Sequence, residues 1–229
     1  MKAIIHLHSK YSFDCLTPPE KLVDLAIKNA IDVLCITDHD TIEGAVHALQ
    51  YAQNKYGDKL KVIIGAEYKT DYGDIIGLNL TKDIHLTRAE DVLNAIRAQG
   101  GLVLLPHPFE SHKKVDFLAE QADAIEIFNA RASFDANKKA AELVTSLGKP
   151  SYVASDAHFL SDALLCINQF DMSKNASFTT ALLTAKRSFC QQQSSRKHYF
   201  QSQMIGAFRK RNLRRLLSAT KNWLLLPPQ

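Results

Sequence analysis

The feature that most constrains this chain is an alternation. Short, continuous apolar runs rich in β-branched residues recur along residues 1–160, separated by longer stretches of helical period. The runs are Ala3 to Leu7, Val33 to Thr37, Val62 to Ala66, Asp74 to Leu78, Leu102 to Pro106, Ala124 to Phe128 and Ser151 to Ser155. A strand covered on both faces reads as an unbroken apolar run. Helices are expected at 18–30, 41–56, 87–99, 115–121 and 132–147. Thr17-Pro18-Pro19-Glu20 puts proline at a helix entry with a carboxylate near the positive dipole end. Thr87-Arg88-Ala89-Glu90 reads as a capping box, and Gly100-Gly101 closes the same helix. The Asp74 run follows the Val62 run too closely for a helix, so a hairpin or irregular link is expected there. The pattern points to an α/β fold on a mostly parallel sheet, either a barrel or an open doubly wound sheet.

The metal-capable side chains follow these runs. His6 and His8 end the first run, His39 follows the second, Glu67 the third and His107 the fifth; Asp156 and His158 follow the seventh. Parallel strands share one C-terminal edge, where active sites are built, so five strands deliver imidazoles or carboxylates to one rim. Residues i and i+2 of an extended strand share a face, which lets His6 pair with His8 and Asp156 with His158. Imidazole with carboxylate suits divalent Zn, Mn or Fe better than Mg. A bridging carboxylate such as Glu67 can hold two ions about 3.5 to 4 Å apart, an arrangement that serves phosphoryl transfer. His47, His85, His112 and His198 lie outside the pattern.

Composition excludes several classes. With 229 residues, 46% hydrophobic and 23% charged, the chain buries one sizeable core and is not disordered. Cys15, Cys35, Cys166 and Cys190 form no CxxC pair, which suits a reducing compartment. The N-terminal stretch has no secretory pattern, and no run of about 18 apolar residues exists to span a membrane, so a cytoplasmic location is expected.

In order, His6-Leu7-His8-Ser9 with Asp14 downstream, Thr37-Asp38-His39-Asp40, Gly65-Ala66-Glu67, Pro106-His107-Pro108 and Ser155-Asp156-Ala157-His158 resemble the motifs of the polymerase and histidinol phosphatase (PHP) superfamily. The resemblance covers residues 2 to about 160. It implies a distorted seven-stranded (β/α)7 barrel that binds two or three divalent ions and hydrolyses phosphate esters. It further implies that His6, His8, Glu67 and Asp156 hold one ion, that Glu67 bridges to a second bound by His107, and that Asp14, His39 and His158 hold a third. Where many members place a second histidine for the middle ion, in a His-x-x-Gly context, this chain has Asp74-Ile75-Ile76-Gly77. Aspartate also ligates, but it is harder and more anionic. Asp38 and Asp40 are expected to orient the ligating imidazoles. Asn129 and Arg131, after the sixth run, are candidates to face the substrate, Arg131 as a phosphate clamp, with Lys113 in the loop after His107 as another.

The charge is unevenly spread. All 24 Asp and Glu fall in residues 1–171 with 17 of the 28 Lys and Arg, a net of −7, whereas residues 172–229 hold the other 11 basic residues and no acidic one. The expected organisation is therefore a phosphoesterase barrel over 1–171 and a basic helical extension over 172–229. Residues 176–190 read as one helix closing the barrel. Met204, Ile205, Phe208, Leu213, Leu216, Leu217 and Trp223 recur at near-helical intervals among Arg and Lys, the pattern of a basic amphipathic helix. Such a helix packs on the acidic body, or binds an anionic membrane surface or nucleic acid. The leading expectation is a metal-dependent phosphoesterase acting on a small phosphate monoester or nucleotide. The alternatives are a nuclease for short oligonucleotides and a metal-bound regulatory module without turnover.

Overall fold

The computed structural model describes residues 1–225, so the last four residues of the expected extension lie outside the described residues. Nine strands form one sheet: β1 (Lys2–Ile4), β2 (Val33–Ile36), β3 (Lys61–Lys69), β4 (Asp74–Leu78), β5 (Leu102–Leu105), β6 (Ala124–Asn129), β7 (Ser151–Ala154), β8 (Cys166–Phe170) and β9 (Arg187–Gln191). The spatial order is β7-β6-β5-β4-β3-β2-β1-β8-β9. The first seven are the runs read from the sequence. β1–β2–β3 and β5–β6–β7 pair in parallel, while β4 runs antiparallel to both β3 and β5, the hairpin that the short spacing required.

Two strands escaped the sequence reading, so the sheet has nine strands and is mixed rather than seven-stranded. β8 (Cys-Ile-Asn-Gln-Phe) and β9 (Arg-Ser-Phe-Cys-Gln) are antiparallel, and their burial alternates or is low. An edge hairpin with one wet face lacks the continuous apolar signal of the buried strands. The expected 176–190 helix is accordingly a short helix, α6 (Phe178–Thr184), followed by β9.

The sheet curls into a nearly closed barrel. At the C-terminal rim the chain beyond β1 meets the chain beyond β7: Leu7 bridges Ala157 in parallel, and His8 N donates to the Ala157 carbonyl at 2.9 Å. At the other end β8 covers the gap. The Asn168 carboxamide accepts from Val153 N at 2.9 Å and donates to the Val153 carbonyl at 2.8 Å, standing in for a strand partner of β7. Period 2 sorts the side chains. Ala3 and Ile5, Val33 and Cys35, Ile76 and Leu78, Leu102 and Leu104 share the interior cluster that Phe178 and Leu182 of α6 also enter. Their neighbours Ile4, Leu34, Val103 and Ile125 face the outer helices. Burying each such side chain contributes about 1.5–3 kcal/mol.

The outer helices are α1 (Pro19–Lys28), α2 (Glu43–Tyr56), α3 (Ala89–Ala98), α4 (Val115–Gln121) and α5 (Phe134–Leu147), each inside the range expected from period and caps. Pro19 opens α1 with Glu20 in its first turn. The capping box is not formed: α3 begins after Arg88, and its Ala89 N donates to Asp71 Oδ1 at 2.8 Å. A carboxylate from the β3–β4 loop displaces the local cap, a choice that period and spacing cannot register. The basic amphipathic stretch is two helices, α7 (Arg196–Arg209) and α8 (Leu213–Leu224), broken where Arg211 takes a positive φ of 51°. No helix of the described residues is long and apolar enough to cross a membrane.

Candidate metal centre

At the C-terminal rim the backbone turns sharply to aim its polar side chains inward. His6 (φ 62°), His107 (φ 26°) and Asp156 (φ 48°) all adopt positive φ, the kind of conformation that clusters where function requires it. This corrects the strand argument for the two pairs. β1 ends at Ile4 and β7 at Ala154, so His6/His8 and Asp156/His158 converge because of these turns and not because of extended i, i+2 spacing. Glu67 and Asp74 do obey it: both sit on the inward period of their strands, in register with Ile63 and Ile76.

Four imidazoles surround one carboxylate. Glu67 Oε2 lies 3.5 Å from His6 Nε2, 3.4 Å from His8 Nε2 and 3.2 Å from His39 Nδ1, and Glu67 Oε1 lies 3.1 Å from His107 Nε2. Asp156 Oδ1 is 3.1 Å from His8 Nε2 and 3.6 Å from His6 Nε2. Asp14 Oδ2 reaches His158 Nε2 at 3.2 Å and His39 Nε2 at 3.6 Å. Donor atoms within 4.8 Å of one another define four groups: His6, His8 and Glu67; His8, His39 and His158; His6, His107 and Asp156; and Glu67, Asp74 and His107. All nine residues singled out as metal-capable in the sequence therefore meet at one place, Asp74 included.

The imidazoles are oriented from behind. His6 Nδ1 donates to Glu126 Oε2 at 2.8 Å, which turns its Nε2 toward the centre. His8 Nδ1 donates to Ser12 Oγ at 3.0 Å, and Ser12 in turn donates to Asp38 Oδ1 at 2.9 Å while accepting from His39 N at 2.9 Å. Asp38 also accepts from Ser9 N and Ser9 Oγ, both at 2.6 Å. Asp38 thus acts on His8 through a serine. Gly44 makes room for this cluster, since a Cβ there would stand 1.9 Å from Asp38 Oδ2. Asp40 does something else: its Oδ1 accepts from Lys69 N at 3.3 Å and its own N donates to the Glu67 carbonyl at 2.9 Å, which tethers β3 and touches no imidazole.

Electrostatics follow from burial and crowding. Burial opposes ionisation of Glu67, yet the His6 and His39 charges and the hydrogen bond from His107 hold its carboxyl well below the usual range. Burial likewise disfavours the Asp156 anion, and Arg131 and His6 overcome it. His39 and His107 resist burial and are raised to about 9, His39 chiefly by the Glu67 charge and His107 by its hydrogen bond to Glu67. His8 is lowered to about 3 by burial and by repulsion from His158 and His39. Burial and the Glu67 charge push the Asp74 carboxyl up.

The centre opens into a cleft of about 480 Å³, whose lining includes Asn129, Arg131 and Lys113. Arg131 Nη1 contacts His158 Nδ1 and donates to the Asp156 carbonyl at 3.3 Å. Asn129 Nδ2 donates to Glu126 Oε1 at 2.7 Å and to Asp156 Oδ2 at 3.3 Å.

A family model described as PHP domain matches residues 5–146. The chain belongs to the PHP domain family. A second model, PHP-associated, matches residues 134–186. An uncharacterized protein of Methanocaldococcus jannaschii is 36% identical over 144 residues, 57% of this chain and 82% of that one. Among solved structures, a two-domain protein from Bacteroides vulgatus containing a predicted PHP-like metal-dependent phosphoesterase superposes with a TM-score of 0.66 at 16% identity. The match covers 80% of this chain, which spans only 61% of that protein. PsfC from Pseudomonas syringae superposes with a TM-score of 0.61 at 16% identity, covering 92% of this chain and 98% of its own.

Some residues of this PHP centre were not picked out from sequence. Glu126 carried a signal, a lone carboxylate inside an apolar strand, and its partners are His6, Asn129 and His107 N at 3.2 Å. Ser12 carried none. Nor did Tyr199 and Gln203, which line the cleft from the C-terminal helices beside Lys210 and Arg215, two charges of the basic amphipathic stretch. Of the remaining histidines, His112 braces Glu110 and Asp74 through their carbonyls, and His198 pairs with Asp162 at 2.8 Å.

Proposed function

We propose that this PHP chain is a metal-dependent phosphoesterase acting on small phosphorylated molecules, with residues 1–171 holding two or three divalent ions and helices α7 and α8 of the basic 172–229 extension shaping the mouth of the cleft. One observation carries the reading. His6 Nε2, His8 Nε2, His107 Nδ1, His158 Nε2 and Asp14 Oδ1 are buried without a hydrogen-bond partner among the described residues, a costly state for polar atoms unless a ligand satisfies them. The nitrogen-to-carboxylate separations of 3.1 to 3.6 Å match neighbouring ligands of one cation bound at about 2.0–2.2 Å. The donor set suits Zn, Mn or Fe.

In this reading His6, His8, Glu67 and Asp156 hold one ion, Asp14, His39 and His158 another, and Glu67 with Asp74 and His107 a third. Bound divalent ions supply positive charge for phosphoryl oxygens and make water more acidic. Glu126 and Asp38, the latter through Ser12, keep the His6 and His8 tautomers ready to ligate. Arg131, already turned toward Asp156, offers a guanidinium for a phosphate oxygen, and Asn129 a carboxamide. Elemental analysis of the purified protein, followed by assays on a phosphomonoester, a phosphodiester and a short oligonucleotide with Mn or Zn, tests the reading. Metal-dependent turnover of the monoester is expected. Bound metal with no turnover of any substrate would favour a regulatory module.

The raised imidazoles give a pH signature for the metal-free protein. His39 and His107 titrate at about 9 against an ordinary 6.5, so the stability they contribute is fully present below about 6.5 and lost as pH rises through about 9. The metal-free melting temperature is expected to fall across that interval. Because ligation needs neutral imidazole, metal affinity should rise over the same range. A flat melting profile together with pH-independent metal affinity would contradict the assignment of these two histidines.

A further inference from the structure

The C-terminal extension supplies a wall of the same cleft, and among the described residues its cations there form no ion pair. α7 lies directly against the loop that carries Asp14: a Cβ on buried Gly206 would stand 3.0 Å from Asp14 Cβ and 3.1 Å from the Phe13 ring. Arg209 fastens the helix end by donating to the Ser12 carbonyl at 2.8 Å and the Lys10 carbonyl at 3.2 Å. The next residue, Lys210, holds its Nζ 3.2 Å from the centroid of Phe13, whose ring stacks on His39 at 4.8 Å. Arg215, in the first turn of α8, is steadied by Gln203 Oε1 and lines the cleft beside Lys210. Lys210 lies within electrostatic range of both Arg215 and Lys69. Among the described residues neither Lys210 nor Arg215 forms an ion pair with a carboxylate, although Lys210 feels Asp14. Like charges gathered at the mouth of a cleft repel, and an incoming anion removes that cost.

We propose that Lys210 and Arg215 form a second anion subsite, so that the preferred substrate carries a second phosphate beside the one that is hydrolysed. The inference rests on the phosphoesterase reading for the first phosphate. The scissile group is met by the metal centre and Arg131 on the barrel side, and the second by the extension. This accounts for a basic tail on an acidic body: its cations are held where they select the substrate.

The test separates binding from turnover. Calorimetry on the metal-free full-length protein compares 1,3-propanediol bisphosphate with its monophosphate, and thymidine 5′-monophosphate with the 5′-phosphorylated dinucleotide. The wild type is expected to bind at least one two-phosphate member about ten-fold tighter than its partner; which pair responds tells a small bisphosphate from a nucleotide chain. In the Lys210→Ala, Arg215→Ala double variant the preference should shrink to about two-fold or less, and kcat/KM ratios with metal should follow. Arg214→Ala, a neighbouring exposed charge that does not line the cleft, should keep it. Equal affinity for both members of each pair in the wild type, or a preference retained by a folded double variant, overturns the proposal. Failure to hydrolyse any ester while the binding preference persists would instead strike the phosphoesterase reading.

Discussion

Replacing Glu67 with alanine is expected to abolish tight divalent-metal binding and to lower metal-dependent phosphoesterase turnover by about three orders of magnitude or more, a loss on the order of 4 kcal/mol in transition-state stabilisation. Among the described residues no other carboxylate faces so many imidazoles: its two oxygens meet four of them at 3.1 to 3.5 Å. Without it the raised imidazoles lose the charge that sustains them, so His39 and His107 should titrate below about 9, toward the ordinary range. Glu67→Gln keeps the shape and removes the charge. It should remain folded yet bind metal weakly, which separates a chemical loss from a collapse of the rim. Full metal content and undiminished turnover in both variants would refute the central role of this carboxylate.

Asp38→Ala is expected to destabilise the protein by about 3 kcal/mol, because three buried donors, Ser9 N, Ser9 Oγ and Ser12 Oγ, lose their acceptor together. For a chain of this size that is a fall of very roughly 10 °C in melting temperature. Metal affinity should fall as well, by about 10- to 100-fold, since Ser12 no longer holds the His8 tautomer. The two effects distinguish Asp38 from Asp40. Asp40 sits on the exposed side and tethers Lys69 N, so Asp40→Ala should leave the His8 orientation intact. Thermal melts with and without metal measure both terms.

Much of the centre was legible because its side chains sit at the ends of strands whose apolar character is itself legible. Once Val33 to Thr37 or Leu102 to Pro106 is recognised as a buried strand, the histidine that follows must emerge at the rim. Asp74 was placed by the family resemblance alone, where many members have histidine; the structure sets it first on a strand whose inward period includes Ile76. Elsewhere long-range contacts override the local signal. The Thr87 capping box looked sufficient locally, but Asp71 reached Ala89 N. β8 and β9 were hidden because an edge hairpin buries one face at most. Orientation was also beyond reach: nothing near His6 in sequence announces Glu126, 120 residues away.

The sequence by itself determined the class of fold and the rim on which seven metal-capable residues gather, since hydrophobic period and strand ends are local properties; Asp14 and Asp74 joined them only through the family resemblance. Only the tertiary structure decided how those residues face one another, because the positive-φ turns at His6, His107 and Asp156 and the carboxylates behind the imidazoles are set by packing between distant strands. It also decided where the basic extension lies. Its charges looked like a separate patch along the chain, yet Gly206 lets α7 settle against Asp14, which brings Lys210 and Arg215 to the mouth of the cleft.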